Sequence, residues 1–78
     1  MDPEEIRILL RAEPFVPFRL ELSNGKAVDI MHPELAFLTK GTLFLGRPVE
    51  DPTLDIPDRA DAVSMLHVVK AEMLTQAA

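Results

Sequence analysis

The dipeptide Asn24-Gly25 stands between two runs of alternating apolar and polar residues, and this arrangement restricts the fold more than any other feature. Before it, Phe18, Leu20 and Leu22 share one side of an extended run, with Arg19, Glu21 and Ser23 on the other. After it, Lys26 to Met31 returns with Val28 and Ile30 on the apolar side and Asp29 opposite. Strand side chains alternate between faces with period two, and Asn-Gly suits the positive backbone angles of a tight hairpin turn. The spacing therefore predicts a β-hairpin with one wet face.

A second hairpin is expected over Leu35 to Thr39 and Thr42 to Gly46, turning at Lys40-Gly41. Its strands read differently. Leu35 and Phe37 lie on one face, Ala36 and Leu38 on the other, and then Leu43 and Leu45 oppose Phe44. Apolar residues on both faces imply cover on both. Either the fold covers these strands twice, or one face meets another subunit.

The flanks supply a helix and two connectors. Asp2-Pro3-Glu4-Glu5 is a helix start: Asp2 can cap, Pro3 suits the first helical position, and the glutamates lie at the positive end of the dipole. Ile6, Leu9 and Leu10 share a face, whereas Ile8 falls away from it toward solvent. Pro14 ends the helix near Ala12 by holding Glu13 extended. Pro14-Phe15-Val16-Pro17-Phe18 then forms a rigid connector whose two phenylalanines can enter the core. His32-Pro33-Glu34 breaks the second strand, and Arg47 to Asp61 reads as an acidic loop.

Residues 60–78 carry conflicting signals. Val63, Leu66, Val69 or Lys70, and Met73 recur at helical spacing, among good helix formers. His67 to Leu74 also reads as a strand, which would close a sheet edge. Periodicity alone favours the helix narrowly.

The order of motifs resembles a group of short bacterial proteins. These read as an N-terminal helix, Pro-Phe-x-Pro-Phe-Arg, an alternating strand ending in Asn/Asp-Gly, a His-Pro-Glu break, and a Leu-x-x-Ile-x-x-Ile-Glu-type close. Here the segments are Pro14 to Arg19, Leu20 to Lys26, His32 to Glu34, and Leu66 to Glu72. Ala71 stands where that pattern has a β-branched residue. The resemblance implies a final strand and brings no activity with it. The architecture also looks like an Sm-like or SH3-like small barrel, with Ser64-Met65-Leu66 as the short turn before the last strand. The expected fold is mainly β (α+β): one domain over residues 1–78, with an N-terminal helix and a strongly bent five-stranded antiparallel sheet or small barrel.

Composition bounds the function. With 47% hydrophobic against 27% charged residues, a chain of 78 residues can fold as one domain. There is no cysteine, so neither a disulfide nor a thiolate is available. That suits a reducing compartment. The acidic N-terminus lacks the basic-then-apolar pattern of an export signal, so a cytoplasmic location is expected. No apolar run approaches the roughly 18 residues of a membrane span. The net charge is −5 and the eight basic residues are scattered, which disfavours nucleic acid and anionic membranes as partners.

Catalytic patterns are missing from the sequence. His32 and His67 are the only histidines, and their spacing is unlike a zinc motif even with Glu34 or Asp29 nearby. Glu50, Asp51, Asp55, Asp58 and Asp61 make an acidic cluster without an EF-hand pattern, as a solvated loop would. The serines and threonines form no nucleophile elbow, and Gly25, Gly41 and Gly46 fall in separate places rather than in one phosphate loop. No enzyme, cofactor or metal site is expected.

The leading expectation is a non-catalytic module that self-associates or docks on another protein. Ile8, Met31, Leu38, Phe44 and Val68 are its candidate interface residues, and the adaptable side chains of Met65 and Met73 add to the spare apolar surface. A first alternative is an Sm-like nucleic-acid binder using Arg19, Lys26, Lys40 and Lys70. A second is a small metal- or ligand-sensing domain using His32, Glu34 and the acidic loop.

Overall fold

The computed structural model describes residues 1–47, 57 and 59–74. Helix α1 spans Pro3–Arg11, with the Asp2 carboxylate accepting from the Glu4 N–H at 2.9 Å. Its first turn is acidic and its last turn holds Arg11, both favourable to the helix dipole. Only Ile6 is fully buried, and Ile8 is exposed as its phase requires. The helix stops before Pro14, whose bond to Glu13 is cis.

The strands are β1 (Phe18–Leu22), β2 (Ala27–Ile30), β3 (Ala36–Leu38), β4 (Thr42–Gly46), β5 (Ala60–Ser64) and β6 (Val68–Met73). Short 3₁₀ turns at Pro33–Leu35 and Met65–His67 separate β2 from β3 and β5 from β6. The strands form two antiparallel sheets, ordered β2-β1-β6 and β3-β4-β5.

The mainly β, α+β class agrees with the sequence reading, but the five-stranded sheet or closed barrel does not form. Among the described residues there are six strands in two sheets. The chain passes from one sheet to the other at two turns. A barrel would carry strongly bent strands from one sheet into the other. Here Pro33, which has no N–H to give a ladder, starts a 3₁₀ turn where that bend would fall. The Met65–His67 turn, capped when Ser64 Oγ accepts from the Leu66 N–H, lies between β5 of one sheet and β6 of the other.

The first hairpin keeps its alternation and turns at Asn24-Gly25 as expected. Gly25 has φ 84°, and no other described residue has positive φ. Gly25 N–H donates to the Leu22 carbonyl (3.0 Å) and Leu22 N–H to the Lys26 carbonyl (2.8 Å). This is the three-residue loop that ends in a left-handed glycine, not a two-residue turn.

Residues 60–73 are strand, turn and strand, so of the two readings the sequence left open for residues 60–78 the strand forms here, and the helix that periodicity alone favours does not. Tertiary pairing overrides the periodicity: β1 needs a partner on its open side, and β6 fills it from Phe18↔Met73 to Leu22↔Val68. A helix would have buried Leu66 with Val63, yet Val63 is in the core and Leu66 is 90% exposed. The ladder slips between Glu21 and Leu22, leaving Val69 as an unpaired bulge residue.

The core lies between the sheets under α1. Ile6, Phe18, Leu20, Ile30 and Leu43 are its largest fully buried side chains, with Leu45, Val63, Met65 and Val68 completing it. Each large side chain taken fully from water contributes about 1.5–3 kcal/mol. The Met1 amino group donates to the carbonyls of Met65 and Val68 (3.1 and 3.2 Å), tying the start of α1 to the base of β6.

Candidate interaction face

The two sheets treat their outer faces differently. On β2-β1-β6, alternation turns Phe18 and Leu20 inward and Arg19 and Glu21 outward. Register then sets Arg19 between Asp29 and Glu72, and Glu21 opposite Lys70. Arg19 grips Asp29 with two bonds, Nε to Oδ1 at 2.7 Å and Nη2 to Oδ2 at 3.1 Å. These bonds hold the Asp29 carboxyl below its ordinary pKa and raise that of Arg19. The face is charged, internally compensated and wet.

The outer face of β3-β4-β5 carries an apolar row, with the pair Thr42 and Ser64 at one end of it. Leu43, Leu45 and Val63 turn into the core, so Phe37, Phe44 and Ala62 turn out. Phe37 stands opposite Phe44, and Phe44 opposite Ala62, making one row across the sheet. The phenylalanine ring centroids are 6.5 Å apart at 43°, an aromatic contact by distance. Phe37 is 68% exposed and Phe44 40%.

The row continues to a free strand edge. Arg47 N–H donates to the Arg59 carbonyl and Met65 N–H to the Gly41 carbonyl, which fixes the phase of the β4–β5 ladder. Asp61 and Val63 therefore turn their main-chain groups toward β4, and Ala60, Ala62 and Ser64 turn theirs outward. Among the described residues no strand pairs with that side of β5.

The structure sorts the interface candidates. Ile8, Met31 and Phe44 are exposed. Leu38 is not on the outer face: it pairs with buried Leu43 and is itself partly buried against the core. Val68 is in the core at 2% exposure, because it follows the Met65–His67 turn and points between the sheets. Met65 is buried too, whereas Met73 is exposed. Sequence reasoning missed Phe37 and Leu66 as surface residues. Alternation had grouped Phe37 with Leu35, and the signal that finds it is its register with Phe44.

The basic candidates divide. Arg19 is committed to Asp29. Lys26 and Lys40 sit at hairpin turns that both bond to the Met65–His67 turn, one through Ser23 N–H to the His67 carbonyl and the other through Gly41. Lys70 lies in β6 just beyond it.

The histidines have separate partners. His32 Nδ1 lies 3.4 Å from Glu34 Oε1, and His67 Nδ1 lies 3.1 Å from Ser23 Oγ. Among the described residues no three His, Asp or Glu side chains group as metal ligands. Glu50, Asp51, Asp55 and Asp58 of the acidic loop lie outside the described residues, while Asp61 belongs to β5 and is paired with Arg47. A cavity of about 220 Å³ opens between β2 and β4, lined by Ile30, Met31, His32, Leu35 and Leu45. Two shallower cavities reach the size at which ligand sites start, one of about 390 Å³ beside Arg19, Asp29 and Arg47 and one of about 300 Å³ between Ser23, Ser64 and His67.

No protein family matches the chain, and neither does any curated protein or solved structure. Among the described residues no helix is long and apolar enough to cross a membrane.

Proposed function

We propose that this domain is a non-catalytic interaction module that associates with a second copy of itself. The contact is the outer face of β3, β4 and β5, extended by the free edge of β5. The exposed row Phe37, Phe44, Ala62 carries this reading. Apolar area taken from water is worth about 25 cal/mol per Å², and contiguous apolar surface marks partner sites. The charged outer face of the other sheet makes the contrast within one molecule: the same chain keeps one face wet and leaves an apolar row on the other. A strand edge flanked by alanines adds main-chain hydrogen bonds to such a contact.

Native mass spectrometry tests it. The expected result is a whole multiple of the chain mass for the natural sequence and a single folded chain for the Phe37→Asp, Phe44→Asp double variant. A natural sequence that stays monomeric, or a folded double variant of unchanged mass, overturns the reading.

One observation favours a second reading, nucleic-acid binding. The turns carrying Lys26 and Lys40 both bond to the Met65–His67 turn, near Lys70. Phosphate contacts would give an affinity that falls steeply with salt and weakens on Lys40→Ala. Absence of binding to a short single strand at low salt removes this reading.

A further inference from the structure

We propose that Asn24-Gly25 is a modification site, where Asn24 deamidates spontaneously in the folded protein. Asn24 and Gly25 are both exposed at the tip of the first hairpin. Asn24 Oδ1 accepts from the Lys26 N–H at 2.9 Å, which folds the carboxamide back over the Asn24–Gly25 peptide. The attacking Gly25 nitrogen and the Asn24 carboxamide carbon are thus adjacent in one exposed turn, so the reaction is intramolecular. Apart from its two chain neighbours, no residue places an atom within 4 Å of where a Cβ on Gly25 would stand, so the turn is open on that side. One bond opposes the step: Gly25 N–H donates to the Leu22 carbonyl at 3.0 Å and must be released first.

The Gly25 nitrogen bonds to Asn24 Cγ and gives up its proton, the Cγ–Nδ2 bond breaks, and ammonia leaves with that proton. The product is a five-membered succinimide. Water then opens it at either carbonyl. Opening at the main-chain carbon gives an isoaspartyl link, and opening at the side-chain carbon gives aspartate. Water is the sole co-reactant.

The two products differ for this turn. Aspartate keeps an oxygen for the Lys26 N–H and adds a charge beside Lys26. The isoaspartyl link inserts an extra backbone atom into a three-residue loop, and the 2.8 Å bond from Leu22 to Lys26 cannot keep its place. The aspartyl form therefore keeps the hairpin and the isoaspartyl form loosens it.

The test incubates the folded protein in mildly alkaline buffer beside a synthetic peptide of residues 20–28. Proteolytic mapping then reads the mass gained when the side-chain NH₂ becomes OH. Conversion at Asn24 in the folded protein, with both isomers present, is expected. Asn24 left intact over an interval that fully converts the peptide overturns the proposal.

Discussion

Phe37 and Phe44 face each other across β3 and β4 on the side of the sheet away from the core, with ring centroids 6.5 Å apart. Their neighbours Leu38 and Leu43 form the next pair, with Leu43 buried and Leu38 partly so. Adjacent pairs on one hairpin thus serve opposite purposes, and substitutions one residue apart should separate them.

Phe44→Asp and Phe37→Asp should leave the folded chain close to its natural stability. Both side chains are exposed, and surface changes away from special features shift stability by about 0.5 kcal/mol or less. The aromatic pair adds at most about 0.5–1.5 kcal/mol to that. Urea unfolding gives the stability and native mass spectrometry the assembly. A double variant that unfolds outright would mean that the face is part of the core.

Leu43→Ala should cost about 2–5 kcal/mol, the usual loss for a fully buried leucine. Leu38→Asp should also unfold the domain, since it places a carboxylate against the core. Circular dichroism during urea titration reads both. A Leu38→Asp chain that stays folded and loses only its assembly would return Leu38 to the interface.

Much of this was legible in the sequence. Asp2 and Pro3 set α1, and Phe18 to Ile30 set the first hairpin, because cap, alternation and turn residues agree locally. The apolar β3–β4 hairpin also announced an unusual face. Which residues lie on it was not legible, since that depends on register and on which strand covers which. Val68 shows the difficulty: in sequence it resembles its exposed neighbour Val69, and a bulge places one inside and the other out. Leu66 resembles a core residue by helical period and is in fact the tip of a 3₁₀ turn.

Gly46→Ala should destabilise, and Gly41→Ala should not. A Cβ on Gly46 would stand 2.8 Å from Pro57 Cγ and 3.5 Å from Leu35 Cβ. The proline ring is stiff, so the chain at residue 57 must move, and overpacking of this kind costs about 1–3 kcal/mol. A Cβ on Gly41 would meet nothing within 4 Å, and its φ is not positive. Thermal unfolding of the two variants side by side settles the comparison. Equal midpoints would show that Pro57 does not press on β4.

Asp29→Asn should change how stability depends on acid. The hydrogen bonds from Arg19 hold the Asp29 carboxyl below its ordinary pKa in the folded state. A group depressed by folding contributes stability that is present above its unfolded pKa and is lost as pH falls through the folded value. The variant should therefore be slightly less stable than the natural sequence near neutrality, and the gap should close once Asp29 is protonated. Both partners are about two-fifths exposed, so the effect is small and shrinks with added salt. Urea midpoints at neutral and strongly acidic pH, each at low and high salt, measure it. A gap that persists unchanged into acid would assign the loss to packing at position 29 rather than to its charge.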